Sequence, residues 1–153
     1  MRILVVSQYF WPENFRINDL AQELASRGHE VTVLTGLPNY PGGQIFDDFL
    51  RSPKEFSIYE KVDVVRVPLF PRGTGSLRLL LNYISFSFFA SVLGPWKLRD
   101  KKFDVVLTCQ LSPVTVGIPG ALLAWLKKAP MAMWVLDLWP DTLRAIGLSL
   151  IHI

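Results

Sequence analysis

Short apolar runs alternate with helical patterns along the first 136 residues. The run from Ile3 to Val6 predicts a strand covered on both faces, as in a parallel sheet. The next segment predicts a helix with Asn14 as its N-terminal cap and Gly28 as its stop. Its apolar face consists of Ile17, Leu20, Ala21, Leu24 and Ala25. The β-branched run 30–35 predicts a second strand, so these elements form a βαβ unit.

The same alternation continues beyond the first unit. Residues 62–67, 103–108 and 131–136 predict three more strands, and 114–128 predict a helix that is irregular at Pro119. The stretch 36–57 is rich in proline and glycine, which predicts a long irregular loop with a functional role. The whole pattern predicts an α/β fold, a Rossmann-like, doubly wound and mostly parallel sheet.

One segment is apolar enough to contact a membrane. The 18 residues from Leu79 to Trp96 carry no charge, which meets the lower limit for a spanning helix. Spanning is disfavoured because the strands on either side must pair in one sheet. Two interpretations remain open, a helix buried against the sheet and a helix that also lies in the membrane interface. In the second, the predicted membrane contacts are Arg78, Phe86, Phe88, Phe89, Trp96, Lys97 and Arg99.

Composition and charge narrow the classes of function. Half of the 153 residues are apolar, and the net charge of +3 conceals a local concentration, because 66–102 hold seven basic residues and one acidic residue. Such a patch attracts phosphates or anionic lipid, whereas nucleic acid is disfavoured because the basic residues flank a Phe- and Leu-rich run. A single cysteine, Cys109, and two distant histidines, His29 and His152, predict no disulfide and no metal site. The N-terminal apolar run is too short for a signal peptide, which predicts a cytosolic start.

Candidate chemistry follows the predicted strands. Neither GxGxxG nor a GK[ST] loop is present, which disfavours a dehydrogenase and a phosphate-loop nucleotidase. The loop after the first strand carries Trp11, Glu13 and Arg16, which could stack a sugar and hold a phosphate, or could simply pack the loop and complement the helix dipole. Asp137 follows the fifth strand, where one-sided desolvation would suit a general base, although bonding to loop amides is equally open. Asp141 is predicted to cap a short helix.

Several motifs together resemble one family. The segments QYFWPE, RGHEVTVLT, GLPNYPGG and DLWPD, within an otherwise similar chain up to about Gly147, resemble the N-terminal domain of glycosyltransferase family 4. The similarity is greatest to the branch that builds bacterial O-antigen and colanic-acid-type exopolysaccharides, including fucosamine-type transferases. The chain departs from many relatives at the first loop, which lacks a glycine pair, and at Leu136, where a histidine is common.

The resemblance implies one half of a two-domain GT-B architecture. Residues 1–147 would form the acceptor domain, and a C-terminal domain, absent here, would bind a nucleotide-sugar donor. The acceptor would be an undecaprenyl-diphosphate-linked glycan, met by a peripheral enzyme at the cytoplasmic face of the membrane. Transfer would retain anomeric configuration and need no metal or other cofactor. The implied site has Asp137 as catalytic residue and an acceptor surface of Trp11, Glu13, Asn14, Arg16, Asn39, Tyr40 and Trp139.

The last residues of the chain affect the expected activity, and two other functions are also considered. Residues 148–153 lack the polar character of a linker and are interpreted as a non-native or truncated tail, so the fragment is expected to be inactive alone. A non-catalytic module that binds lipid-linked sugar or anionic membrane is the alternative. A soluble nucleotide-binding Rossmann domain is a third possibility, and it predicts nucleotide binding by this chain.

Overall fold

The strands form one mixed sheet in the computed structural model, which describes residues 1–111 and 114–136. Within these residues the strands are β1 (Arg2–Ser7), β2 (Glu30–Thr35), β3 (Ile58–Tyr59), β4 (Val62–Arg66), β5 (Val105–Gln110) and β6 (Met131–Val135). Their order is β3-β4-β2-β1-β5-β6, and only β3 runs antiparallel to its neighbour. The predicted α/β fold with a mostly parallel sheet is therefore confirmed.

Helices cover both faces of this sheet, as a doubly wound fold requires. The described helices are α1 (Arg16–Ser26), α2 (Asp47–Arg51), α3 (Ser76–Lys97) and α4 (Gly117–Lys127). Helices α3 and α4 pack over one face, where Phe86 and Leu123 join Leu4 and Val106 in one core cluster. Helix α1 packs over the other face, where Ile17 and Ala21 join Val5 and Val33. Alternate residues of β1 therefore supply both cores.

The first βαβ unit forms as predicted except at the start of its helix. Gly28 lies at φ +84°, and its amide donates to Ala25 O at 3.0 Å while the next amide donates to Leu24 O, which is the usual glycine end of a helix. Asn14 does not cap α1, because the helix begins after Phe15 without a side-chain cap and Asn14 is exposed. Asn18 instead holds the preceding loop from inside the helix.

Tertiary contacts shift three other predicted elements. The loop over 36–57 is not wholly irregular, since it contains α2 and a 3₁₀ turn over Pro53–Ser57, and β3 follows it unpredicted. Strand β5 begins and ends two residues later than expected because Val105 pairs with Ile3 of β1. Ahead of the strand, Asp104 accepts from the amide and guanidinium of Arg2 at 2.7 and 2.5 Å. The predicted helix over 114–128 divides into a 3₁₀ turn over 114–116 and α4, and Pro119 lies within the first turn of α4 rather than at a break.

Helix α3 buries polar as well as apolar side chains and exposes a continuous apolar stripe. Asn82, Ser85 and Ser87 are buried, and each makes hydrogen bonds inside the domain. An exposed stripe runs along the outer face at spacings of three or four residues. It comprises Leu77, Leu80, Leu81, Ile84, Phe88, Val92 and Trp96, which are between 44% and 71% exposed.

This orientation narrows the interpretations of the apolar segment. The helix is long and apolar enough to cross a membrane, but β4 and β5 on either side of it belong to one sheet, so spanning is excluded by the topology. Phe86 is fully buried and Phe89 packs partly against the core, so Phe86 cannot contact a membrane and was wrongly assigned to that surface. The other predicted contacts lie on the surface, where their membrane role stays a prediction: Arg78, Phe88, Trp96, Lys97 and Arg99.

Candidate functional site

The sheet reverses its direction of growth between β1 and β5. The chain passes from β1 outward to β2 and β4, and then α3 returns it to β5 on the other side of β1. Ligands of open α/β sheets bind beyond the carboxyl ends of the strands at such a reversal. The described loops that reach this edge are 8–15, 36–46 and 67–75, so the candidate site is sought among them.

Glu13 joins two of these loops from a buried position. Its carboxylate accepts from the amides of Asn39 at 2.8 Å and Tyr40 at 2.7 Å through one oxygen, and from the amide of Phe10 at 3.3 Å through the other. The residue is only 2% exposed. Burial outweighs these hydrogen bonds and raises the pKa of the carboxyl from its ordinary value to about 7. Glu13 therefore positions backbone, which corrects the expectation that it contacts an acceptor.

Arg66 at the end of β4 fastens the same loops from another side. Its guanidinium donates to Gly36 O at 2.8 Å and to Trp11 O, and it lies 5.2 Å from the centre of the Phe49 ring. Burial lowers the pKa of Arg66 to about 10, so the side chain remains protonated at neutral pH. Together Arg66 and Glu13 set the relative position of the loops that follow β1 and β2.

The aromatic residues of the first loop separate into two clusters. Trp11 packs against Phe56 and Tyr59, with ring centres 5.0 and 5.3 Å apart, on the side of β3. Tyr40 packs instead against the rings of Tyr9 and Phe15 at 5.7 and 5.1 Å. The alternative that the aromatics pack the loop thus describes Trp11 well, since it is half-buried among other rings. Tyr40 is half-buried as well, but it faces the loop that follows β4.

A buried amide network connects that edge to α3. The carboxamide of Asn82 accepts from Gln8 Nε2 at 2.6 Å and from the Tyr9 hydroxyl at 3.1 Å. It donates to Phe70 O at 2.7 Å and to Asn39 Oδ1 at 3.3 Å. Asn39 is fully buried within this network. It therefore positions the loops, which corrects the expectation that it contacts an acceptor. A single residue of α3 therefore holds the loops after β1, β2 and β4.

Arg72 is a candidate site residue that was not predicted as one from the sequence, where it is only one of the seven basic residues in 66–102. Its guanidinium lies 5.2 Å from the centre of the Tyr40 ring, and its amide donates to Asn39 Oδ1 at 3.0 Å. The signal was present in the sequence as the glycine-containing stretch RGTG directly before α3. Gly73 donates its amide to Gly43 O at 2.9 Å, and a Cβ at Gly43 would lie 2.9 Å from Gly73 O, so the two loops touch through backbone. This contact sets Arg72 beside Tyr40.

The predicted site residues therefore differ in how exposed they are. Asn14 and Arg16 are exposed at the start of α1, and Tyr40 is accessible beside Arg72. Asp137 and Trp139 lie outside the described residues. Within the described part of the chain, no three His, Cys, Asp or Glu side chains gather as a metal site would require. Burial raises the pKa of the Cys109 thiol to about 11, which suits a packing residue rather than a nucleophile.

The chain matches the family of glycosyl transferase 4-like domains over residues 14–149. It belongs to that family. This glycosyl transferase 4-like domain is 32% identical to the colanic acid biosynthesis glycosyl transferase WcaI of Escherichia coli (strain K12), over 97% of the chain and 37% of WcaI. The chain thus spans little more than a third of that relative.

Solved structures agree on the fold of the glycosyl transferase 4-like domain. It superposes on the calicheamicin glycosyltransferase CalG4 with a TM-score of 0.58 at 19% identity, covering 97% of the chain and 36% of CalG4. The glycotransferase of kitacinnamycin gives 0.59 at 16% identity, covering 95% and 34%. The C-terminal domain of the PF1911 hydrogenase of Pyrococcus furiosus gives 0.55 at 18% identity, covering 87% and 90%. At these identities the similarity establishes the fold alone. It agrees with the expectation that this domain has the fold of one half of a GT-B glycosyltransferase.

Proposed function

We propose that this domain is the acceptor-binding half of a glycosyltransferase that transfers a sugar from a nucleotide sugar to a lipid-linked glycan. The product would be a surface polysaccharide of the colanic acid or O-antigen kind. The observation that carries the proposal is the similarity to WcaI, a relative named for colanic acid biosynthesis, over 97% of the chain. The donor is bound by a second domain, as in the GT-B architecture. The acceptor-binding domain alone does not catalyse transfer.

The groups at the carboxyl edge suit a sugar attached to a diphosphate. The accessible part of the half-buried Tyr40 ring can contact a sugar, and the guanidinium of Arg72, which lies over that ring, can pair with phosphate oxygens. Asn14 and Arg16 supply further polar contacts at the start of α1. Transfer in this proposal uses Asp137 as the catalytic residue and requires neither a metal nor an organic cofactor.

The proposed location is the inner face of the cytoplasmic membrane, with α3 as the peripheral contact. Phe88 and Trp96 are 59% and 62% exposed on its outer face, and Arg78 and Lys97 lie at its two ends. Asn82 faces the candidate site while its neighbour Leu81 faces outward. An acceptor whose lipid tail remains in the bilayer would thus present its diphosphate and sugar close to the Tyr40 and Arg72 pair.

Binding measurements separate the two halves of the proposal. The 153-residue chain should bind undecaprenyl-diphosphate-linked sugar in nanodiscs, and Arg72→Ala should weaken binding about tenfold through loss of a charge-assisted contact. Arg51→Ala on α2, which replaces an exposed arginine, is the control. Calorimetry should detect no nucleotide-sugar binding. Micromolar affinity for a nucleotide sugar would instead identify a soluble nucleotide-binding Rossmann domain.

Catalysis is tested in a full-length enzyme that contains this domain. Asp137→Asn should lower the rate of sugar transfer and leave donor affinity unchanged, and an unchanged rate would return Asp137 to a structural role. A full-length protein that binds lipid-linked sugar but transfers nothing from any donor would favour the non-catalytic binding module.

A further inference from the structure

Helix α4, together with the 3₁₀ turn before it, carries a second exposed apolar stripe. Val114 in the 3₁₀ turn, Ile118 and Trp125 are 65%, 59% and 74% exposed at spacings of four and seven residues. Ala121 is exposed between them at the same face. These positions recur on one side of a helix, and the opposite side is buried at Leu123 and elsewhere.

The stripes of α3 and α4 face the same side of the domain. Both helices cover one face of the sheet and contact each other along their length, as shown by Ser87 Oγ donating to Thr115 O at 2.9 Å. Further along, a Cβ at Gly94 would lie 3.6 Å from Leu123 Cδ1. At the far ends, Lys127 Nζ donates to Lys101 O at 2.8 Å. Two helices in one layer direct their outer faces away from the sheet together, so the two stripes form one surface, the α3/α4 face.

Basic residues are concentrated in the part of the sequence that contains these two helices. Residues 64–136, which include both helices of this face, hold nine basic and two acidic side chains. Residues 1–63, which include α1 and α2, hold six basic and nine acidic side chains. Neither α3 nor α4 contains an acidic residue. The only charged residues of the two helices are Arg78, Lys97 and Lys127, so every charge that α3 and α4 contribute to the α3/α4 face is basic.

We infer that the whole α3/α4 face, and not α3 alone, lies flat against an anionic lipid bilayer. Apolar stripes with tryptophan at one end and basic residues at both ends match the interface of an acyl region with charged head groups. Arg78 lies at one end of the face, and Lys97, Arg99 and Lys128 lie at the other. Two side-by-side helices fix the tilt of the domain on the surface, which one helix would leave free to rotate. The inference rests on the proposed membrane location.

Site-specific labels test which elements contact the bilayer. Cys109 is 1% exposed, so an added surface cysteine can be labelled selectively with an environment-sensitive nitrobenzoxadiazole dye. Ala121→Cys reports on α4, Val92→Cys reports on α3, and Leu50→Cys on α2, outside the α3/α4 face, is the control. On phosphatidylglycerol vesicles, the labels at 121 and 92 should both shift to the blue and brighten, and the label at 50 should not. Pure phosphatidylcholine vesicles should give much smaller changes.

Each other outcome overturns the inference in a recognisable way. A change at 92 without one at 121 means that α3 docks alone. Changes at 121 that appear without vesicles and grow with protein concentration mean that a second copy of the chain covers the face. No change at either position rejects bilayer contact, while the proposed sugar-transfer function remains open because it is measured separately by acceptor binding.

A paired variant supplies an independent measurement. The double substitution Ile118→Ser with Trp125→Ser removes the α4 anchors and should weaken binding to phosphatidylglycerol vesicles about tenfold or more in flotation. Leu50→Ser with Ile58→Ser removes two similarly exposed apolar side chains, 60% and 58% exposed, from outside the face and should leave binding unchanged. Equal effects of the two pairs would overturn the inference.

Discussion

Replacement of Glu13 by glutamine tests whether a buried carboxyl, rather than an ion pair, joins the loops of the candidate site. The substitution keeps the size of the side chain and one carbonyl oxygen for the amides of Asn39 and Tyr40. It removes the possibility of a charge. In the wild-type chain the second carboxylate oxygen accepts a hydrogen bond from the amide of Phe10 at 3.3 Å. In the variant the NH₂ group of glutamine takes the place of that oxygen, so two donors face each other.

The magnitude follows from the pKa of the carboxyl. Burial raises it from 4.5 to about 7 in the folded chain, so between these values the folded state retains a proton that the unfolded state has lost. The contribution of Glu13 to the free energy of unfolding is therefore fully present below pH 4.5 and is lost as the pH rises through 7. The difference corresponds to about 3 kcal/mol of unfolding free energy. Glutamine cannot titrate, so its stability should not include this loss.

Urea unfolding followed by tryptophan fluorescence at a series of pH values measures the effect. The free energy of unfolding of the wild-type chain, minus that of Glu13→Gln, should fall by about 3 kcal/mol between pH 4.5 and pH 8. Contributions from other groups cancel in this difference. Glu55→Gln, at an exposed position, is the control. A constant difference for Glu13→Gln would show that the carboxylate stays ionised and that its backbone donors hold the charge.

Three further substitutions or reactions test the packing around the site. Asn82→Leu should destabilise the chain by about 2–4 kcal/mol in urea, because it leaves several buried hydrogen-bonding groups without a partner, whereas exposed Asn14→Leu should cost less than about 0.5 kcal/mol. Gly120→Ala should cost about 1–3 kcal/mol, since the new Cβ would lie 2.1 Å from a threonine hydroxyl of β5, while Gly42→Ala meets nothing within 4 Å and should be nearly neutral. Cys109 should resist Ellman's reagent in the native chain and react on unfolding, and rapid native reaction would contradict its burial.

The fold was predictable where residues follow a simple period. Ile3 to Val6 lie at the centre of the sheet, and both faces of that strand are covered, so a continuous apolar run is the expected pattern. The bounds of β5 were less predictable because its register with β1 depends on a partner far away in the chain. Asn14 failed as a cap because Asn18, one helical turn further on, donates to Glu13 O at 2.7 Å and holds the loop instead.

The candidate site was predictable in its location but not in its roles. The loops after β1 and β2 do meet at the carboxyl edge, as the strand order requires. However, Glu13 and Asn39 are buried connectors, and no local pattern distinguishes a buried carboxylate from an exposed one. The orientation of α3 was hidden for the same reason. Asn82 and Ser87 donate to backbone groups far away in the sequence, so hydrophobic periodicity alone gave no clear inner face.

The segregation of charge between the two sides of the sheet also affects events before any contact. Helices α3 and α4 carry only basic charges, whereas α1 on the other face carries two acidic residues and one basic residue, and this difference gives the domain an electric dipole across the sheet. Near an anionic surface, at distances up to about the screening length of 8–10 Å, this dipole exerts a torque that turns the α3/α4 face toward the lipid. Encounters would then begin in the productive orientation, and added salt should slow association with the membrane more than it speeds release.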